Sequence, residues 1–265
     1  MDHISHFRRE VRAFEAAARR SLNAAEAPVV PSCPEWTMSD LVVHLGGVHR
    51  FVTRVVVAGL TEPPPVTDID IYALPEDRTG WPLPGGPTPT PGPLPSGLVD
   101  WFAAGASELA DAFGRTPAAR AVWTWSAEQS VGFWLRMQTI EAALHRWDAE
   151  HTVGSAAPMH AELAADAVAQ HFTVMVPARR DRRQAPPGSG EHLRFRRTDG
   201  PGDWTVRFFG DEVRLGPADE PGGVELAGTA SDLALFLWGR IPADRLAITG
   251  DHDTVDRYLA LVPSV

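Results

Sequence analysis

Residues 141–145 read Glu141-Ala142-Ala143-Leu144-His145, inside a helix expected over Val131 to His151. Four residues is close to one helical turn, so the carboxylate and the imidazole share one face. A metal ion can bridge such a pair, and two ligands on one rigid helix lower the ordering cost of a site. Alone, the pair is more often a solvated surface feature. It gains meaning if a second helix brings another ligand, because facing helices of a bundle build inward metal sites from Glu and His.

Upstream, Thr37-Met38-Ser39-Asp40 has the pattern of a helix start, with a capping hydroxyl and an acid in the first turn. The helix should run through Leu41, Leu45, Val48, Val52 and Val55 to about Ala58. His44 interrupts its apolar side in Leu41-Val42-Val43-His44-Leu45, where a satisfied core histidine is the commoner case. His49 is a rival ligand, but five residues on it points to a different face. His3 to Asn23 spaces Ile4, Phe7, Val11, Phe14 and Ala18 as an amphipathic helix. Ser96 caps a third helix over Gly97–Gly114, and a fifth runs from about His160 to Met175, before Pro177. Between residues 62 and 95 proline and glycine are too dense for helix. That segment is expected as a surface excursion lying over the bundle, with Trp81 packing it down.

After Gln184 the pattern alternates, in Leu193-Arg194-Phe195-Arg196 and again from Trp204 to Phe208. Further strands are expected at Glu212–Leu215, Val224–Leu226 and Arg245–Thr249, with helices at Ser231–Trp238 and from Asp251 to Leu261. The whole predicts a two-domain α+β chain: an up-and-down helical bundle over 1–177 and a small α+β domain with a mainly antiparallel sheet over 190–265. The arginine-rich stretch Arg179–Arg183 between them reads as a solvated linker.

Composition narrows the function. At 44% apolar and 22% charged residues the chain is an ordinary globular one, and its net charge of −10 argues against nucleic-acid binding. No apolar run of membrane-span length and no signal-peptide pattern is found, so a cytoplasmic protein without a membrane partner, a monomer or weak homodimer, is expected. Cys33, in Pro31-Ser32-Cys33-Pro34, is the only cysteine, which excludes an internal disulfide and a cysteine-rich zinc knuckle. All basic side chains are arginine and Asn23 is the only asparagine, a usage associated with GC-rich genomes such as those of actinobacteria.

Cys33-Pro34-Glu35-Trp36-Thr37, Asp40-Leu41-Val42-Val43-His44-Leu45, Glu141, His145-Arg146-Trp147-Asp148-Ala149-Glu150 and Leu235-Phe236-Leu237-Trp238-Gly239-Arg240 together resemble the mycothiol-dependent maleylpyruvate isomerase family. The resemblance covers most of the chain and implies a DinB-like metal-dependent bundle. It implies a divalent metal, zinc first, on His44, Glu141 and His145, with mycothiol as the thiol cofactor. It also implies an essential arginine from the second domain, Arg240, with Arg245 the alternative. Three protein ligands leave an open position, the catalytic pattern for zinc, where a thiol would lose its proton. The expected partners are this small-molecule thiol and an electrophilic substrate, in an isomerase or thiol S-transferase reaction. Asp148 is expected to orient a ligand from the second shell, and His49 to assist proton transfer or to pack. Trp36, Trp123, Trp125, Trp134 and Trp147 are candidates to wall the cofactor pocket. The rival class is a non-catalytic metal- or ligand-binding module such as a sensor.

Overall fold

The structure, a computed structural model, describes residues 1–65, 68–217 and 223–263. It divides into two compact units, Met1–Ala157 and Pro158–Val265.

The first unit is the helical bundle. Helix α1 (His3–Arg19) is capped by Asp2, whose carboxylate accepts from the Ser5 amide, and it buries Phe7, Val11, Phe14 and Ala18 as their spacing predicts. It is followed by a short hairpin, β1 (Val29–Val30) and β2 (Cys33–Thr37), paired antiparallel. Helix α2 (Met38–Ala58) begins with a capping box: the Thr37 hydroxyl accepts from the Asp40 amide, while Asp40 accepts from the Thr37 amide. It ends at Gly59, whose φ of 64° is left-handed and favours glycine. Helices α3 (Ser96–Arg115) and α4 (Val131–Thr152) complete the bundle. Leu41, Leu45, Phe102, Leu109 and Phe133 are fully buried in it, each contributing about 1.5–3 kcal/mol of transfer free energy. Helix α2 is long and apolar enough by length and composition to cross a membrane, although no unbroken apolar run was evident; 61% of its most apolar window is buried within the fold.

The proline-rich segment does lie against the bundle. Asp40 accepts from the backbone amide of Thr90 at 3.0 Å and from its hydroxyl at 2.6 Å, so the residue that starts α2 also pins this segment. The Trp101 indole donates to the Tyr72 carbonyl at 3.0 Å, and Trp81 packs edge-on against Trp101. Residues 66–67 lie outside the described residues.

The second unit begins earlier than the expected boundary at 177–190. Helix α5 (Ala161–Gln170) runs through a π-helical turn (His171–Met175) into α6 (Val176–Arg183). Pro177 does not end the helix: it sits in the first turn of α6, where its missing amide is tolerated. The arginine-rich stretch is therefore helical, and Arg179 and Arg180 are buried rather than solvated. The Arg180 guanidinium donates to the carbonyls of Leu261, Pro186 and Gly210. The Arg179 guanidinium lies 5.3 Å over the Trp238 ring. Strands β3 (Gly188–Arg197), β4 (Asp203–Gly210), β5 (Glu212–Gly216), β6 (Val224–Gly228) and β7 (Ala247–Gly250) form one sheet in the order β5-β4-β3-β6-β7. All neighbours are antiparallel except β3 and β6. Helices α7 (Ala230–Leu237) and α8 (His252–Leu261) are capped by Thr229 and Asp251. Tyr258 of α8 meets Phe195 and Phe208 of the sheet, with ring centroids 5.5 Å and 6.1 Å away.

Candidate active site

Glu141 and His145 lie on α4, and α2 packs against it. The imidazoles of His44 and His145 approach edge-on with centroids 5.1 Å apart. Two imidazoles sharing one tetrahedral ion at Zn–N bonds of about 2.0–2.1 Å would stand roughly 5 Å apart. His145 is nearly buried, and its Nδ1 lies 2.9 Å from Asp148 Oδ2. A proton held on Nδ1 by that carboxylate leaves Nε2 with the lone pair, the tautomer a ligand needs. Asp148 is fully buried and is held in turn by the Ser32 hydroxyl, 2.6 Å from its Oδ1. Trp36, on β2, lies over His44 at 4.8 Å between centroids.

Glu141 and His44 line one cavity of about 330 Å³. Gln138, one turn before Glu141, donates from its amide nitrogen to Glu141 Oε2 at 3.0 Å. Phe51, Trp125 and Trp134 form an aromatic wall, and Tyr72, Pro84 and Gly85 of the proline-rich segment close another side. Trp134 is held by its indole, which donates to the Trp123 carbonyl at 2.7 Å.

The donor set fits a metal in part. Two histidines have the right mutual approach and one has its tautomer set by a buried carboxylate. Yet among the described residues no three His, Cys, Asp or Glu side chains converge as a metal ion requires. Glu141 is on the cavity wall beside His44, engaged by Gln138.

His49 does not line this cavity. It is fully buried between Phe7 and Phe102, with ring centroids 5.2 Å and 5.6 Å away, and among the described residues neither ring nitrogen has a hydrogen-bond partner. Burial, with smaller contributions from His145, His44 and Arg50, lowers its pKa to about 3, so it packs as a neutral ring. Of the five tryptophans, Trp125 and Trp134 line the cavity, Trp36 covers His44, Trp123 supports Trp134, and Trp147 packs against His151. Arg240 and Arg245 belong to the second unit. Arg240 donates to the Trp238 carbonyl at 2.6 Å, and Arg245 is exposed at the end of a short 3-10 turn.

Sequence reasoning missed Gln138 and Ser32. Gln138 carries a legible signal, since it precedes Glu141 by three residues and so shares its helix face. Ser32 carries none, because its partner is 116 residues away.

The description "Mycothiol maleylpyruvate isomerase N-terminal domain" matches residues 7–150, and "MDMPI C-terminal domain" matches residues 162–257. Two solved structures are similar, the mycothiol-dependent maleylpyruvate isomerase and a histidine-to-alanine mutant of it. Their TM-scores are 0.61 and 0.63, each at 14% identity, covering 94% of this chain and 92% of the other. At that identity the likeness is one of fold. Comparison with curated proteins gives no match. The two family matches leave little of the chain outside them, and the chain belongs to the mycothiol maleylpyruvate isomerase family.

Proposed function

We propose that this chain is a cytoplasmic, metal-dependent enzyme that activates a small-molecule thiol, mycothiol by family, for attack on an electrophilic substrate. The observation that carries the reading is the His44–His145 approach, with Asp148 fixing His145, at a cavity that also holds Glu141. His44, Glu141 and His145 would hold the ion, and zinc suits two imidazoles and a carboxylate. When bound, a divalent ion favours a thiolate over a thiol at neutral pH, where a free thiol of pKa about 8.5 is only slightly ionised.

The chain's own residues do the rest. Asp148 keeps the proton on His145 Nδ1 and fixes the ring's orientation, which leaves Nε2 as the ligand nitrogen. The aromatic wall excludes water around the reacting carbon and strengthens polar interactions within the cavity. Arg240 is proposed to hold a polar group of the thiol or of its partner. A thiolate that adds to an activated double bond, allows rotation and leaves gives an isomer. One that stays attached gives a conjugate, so isomerase and S-transferase share the site and differ in the substrate pocket.

The test is metal content of the purified protein and mycothiol-dependent conversion of a panel of electrophiles, read both as thiol loss (conjugation) and as cis–trans isomerisation with the thiol recovered. The enzyme should convert at least one electrophile only when mycothiol is present, and Glu141→Ala should lose both metal and turnover. Full activity and full metal in that variant would refute the site. Bound metal with neither conjugation nor isomerisation of any electrophile would instead favour a binding module.

A further inference from the structure

We infer that the second unit binds a small oxyanion, a carboxylate or a phosphate, on the terminal nitrogens of Arg179 beside Trp238. The inference goes beyond the thiol-enzyme reading and does not depend on it. Five arginines are buried among the described residues. Four of them hold acceptors. Arg50 donates to the Trp101 carbonyl, Arg146 to Glu10 and Glu150, Arg180 to three carbonyls, and Arg197 to Asp199 and Glu162. Arg179, the fifth, is 9% exposed and donates to no group among the described residues. A guanidinium carries five N–H donors, and burying its charge without acceptors is costly.

No carboxylate offsets this charge among the described residues. Burial lowers the Arg179 pKa, Tyr258 opposes that effect, and the like charge of Arg240 adds to it. Tyr258 is not a counter-ion. Burial pushes its phenol above the ordinary range, so it stays protonated, with its oxygen 2.9 Å from His171 Nε2. The surroundings give the site a fixed shape. The Trp238 ring covers one face of the guanidinium, 5.3 Å from its centre. That ring is held by its indole, which donates to the Ala167 carbonyl at 3.4 Å, and by the His171 ring, edge-on at 5.9 Å. Arg240 donates to the Trp238 carbonyl at 2.6 Å, so two guanidinium groups meet at one tryptophan. Nε of Arg179 is enclosed, which leaves the terminal pair of nitrogens for a ligand. Two such donors at the edge of a planar cation match two oxygens of a carboxylate or a phosphate.

The test titrates the full chain with sodium acetate and with inorganic phosphate at constant ionic strength, with affinities measured by calorimetry. At least one of the two should bind. Acetate alone would mark a carboxylate site, and phosphate alone a phosphate site. Arg179→Met should weaken that binding at least about tenfold, the loss expected for one charge-assisted hydrogen bond. Arg179→Lys, which keeps the charge and loses the fork, should fall in between, and it decides the question if the methionine variant does not fold. Glu141→Ala should bind the anion as the unmodified protein does, which separates this site from the cavity in the first unit and from the thiol-enzyme reading. Binding of neither anion by the unmodified protein overturns the inference. So does unchanged affinity in the folded Arg179 variants, or loss of binding in Glu141→Ala.

Discussion

The Asp148 carboxylate faces Nδ1 of His145 at 2.9 Å on the same side of α4, three residues apart and buried from solvent. This relationship sets which nitrogen of His145 is available to a ligand. Asp148→Asn keeps the shape but weakens the preference for that tautomer. It should lower zinc affinity by about 10- to 100-fold, read by competition with a chelator. Unchanged affinity would mean that the pair is structural only.

His49 and His171 predict the acid limb of stability. The unfolded chain takes up protons at histidine near pH 6.5. Folded His49 does so only near 3, and His171 well below its ordinary value, in both cases chiefly through burial. Between those values the unfolded state binds more protons, so stability falls as pH falls. Above about pH 6.5 these two groups contribute no pH dependence. Each contributes a slope of up to about 1.4 kcal/mol per pH unit in the window. In urea melts at a series of pH values, His49→Leu should remove about one proton's worth of slope. Identical slopes would contradict the buried neutral ring.

Gly46 is a packing constraint on the cavity. A Cβ built there would lie 2.3 Å from the Trp101 ring. Trp101 in turn donates to the Tyr72 carbonyl, and Tyr72 lines the cavity. Gly46→Ala should cost about 1–3 kcal/mol by overpacking and loosen that wall. A thermal melt reads the first effect, and proteolysis within residues 62–95 the second.

Arg180 ties three carbonyls in the second unit, those of Leu261, Pro186 and Gly210. Arg180→Met leaves the buried Leu261 carbonyl without its donor and frees two part-buried carbonyls to solvent, and should cost about 1–3 kcal/mol. Lysine, a point donor, should rescue only part of the loss.

Much of this fold is legible from local pattern. Thr37 and Asp40 announce α2 because a capping box is local chemistry, and the alternation at Leu193–Arg196 and Trp204–Phe208 does the same for β3 and β4. The misreadings have physical causes. Pro177 stops a regular helix, but here the preceding π-turn feeds α6, and the arginines of α6 are buried by partners distant in sequence. The β1–β2 hairpin is too short to alternate, and the parallel pairing of β3 with β6 leaves no local trace. At the site, helical spacing gives the Glu141–His145 pair, but spacing alone leaves His44 and His49 as rivals. The family resemblance favours His44, and the structure separates them by giving His44 the cavity and His49 the core.

Metal stoichiometry tests the central claim most directly. The protein dialysed against zinc and then against buffer should retain about one equivalent per chain, as expected for one three-ligand site. His44→Ala and Glu141→Ala should each lose it while remaining folded by circular dichroism. Folded variants that both keep a full equivalent would contradict the account, as would an unmodified protein that holds no zinc.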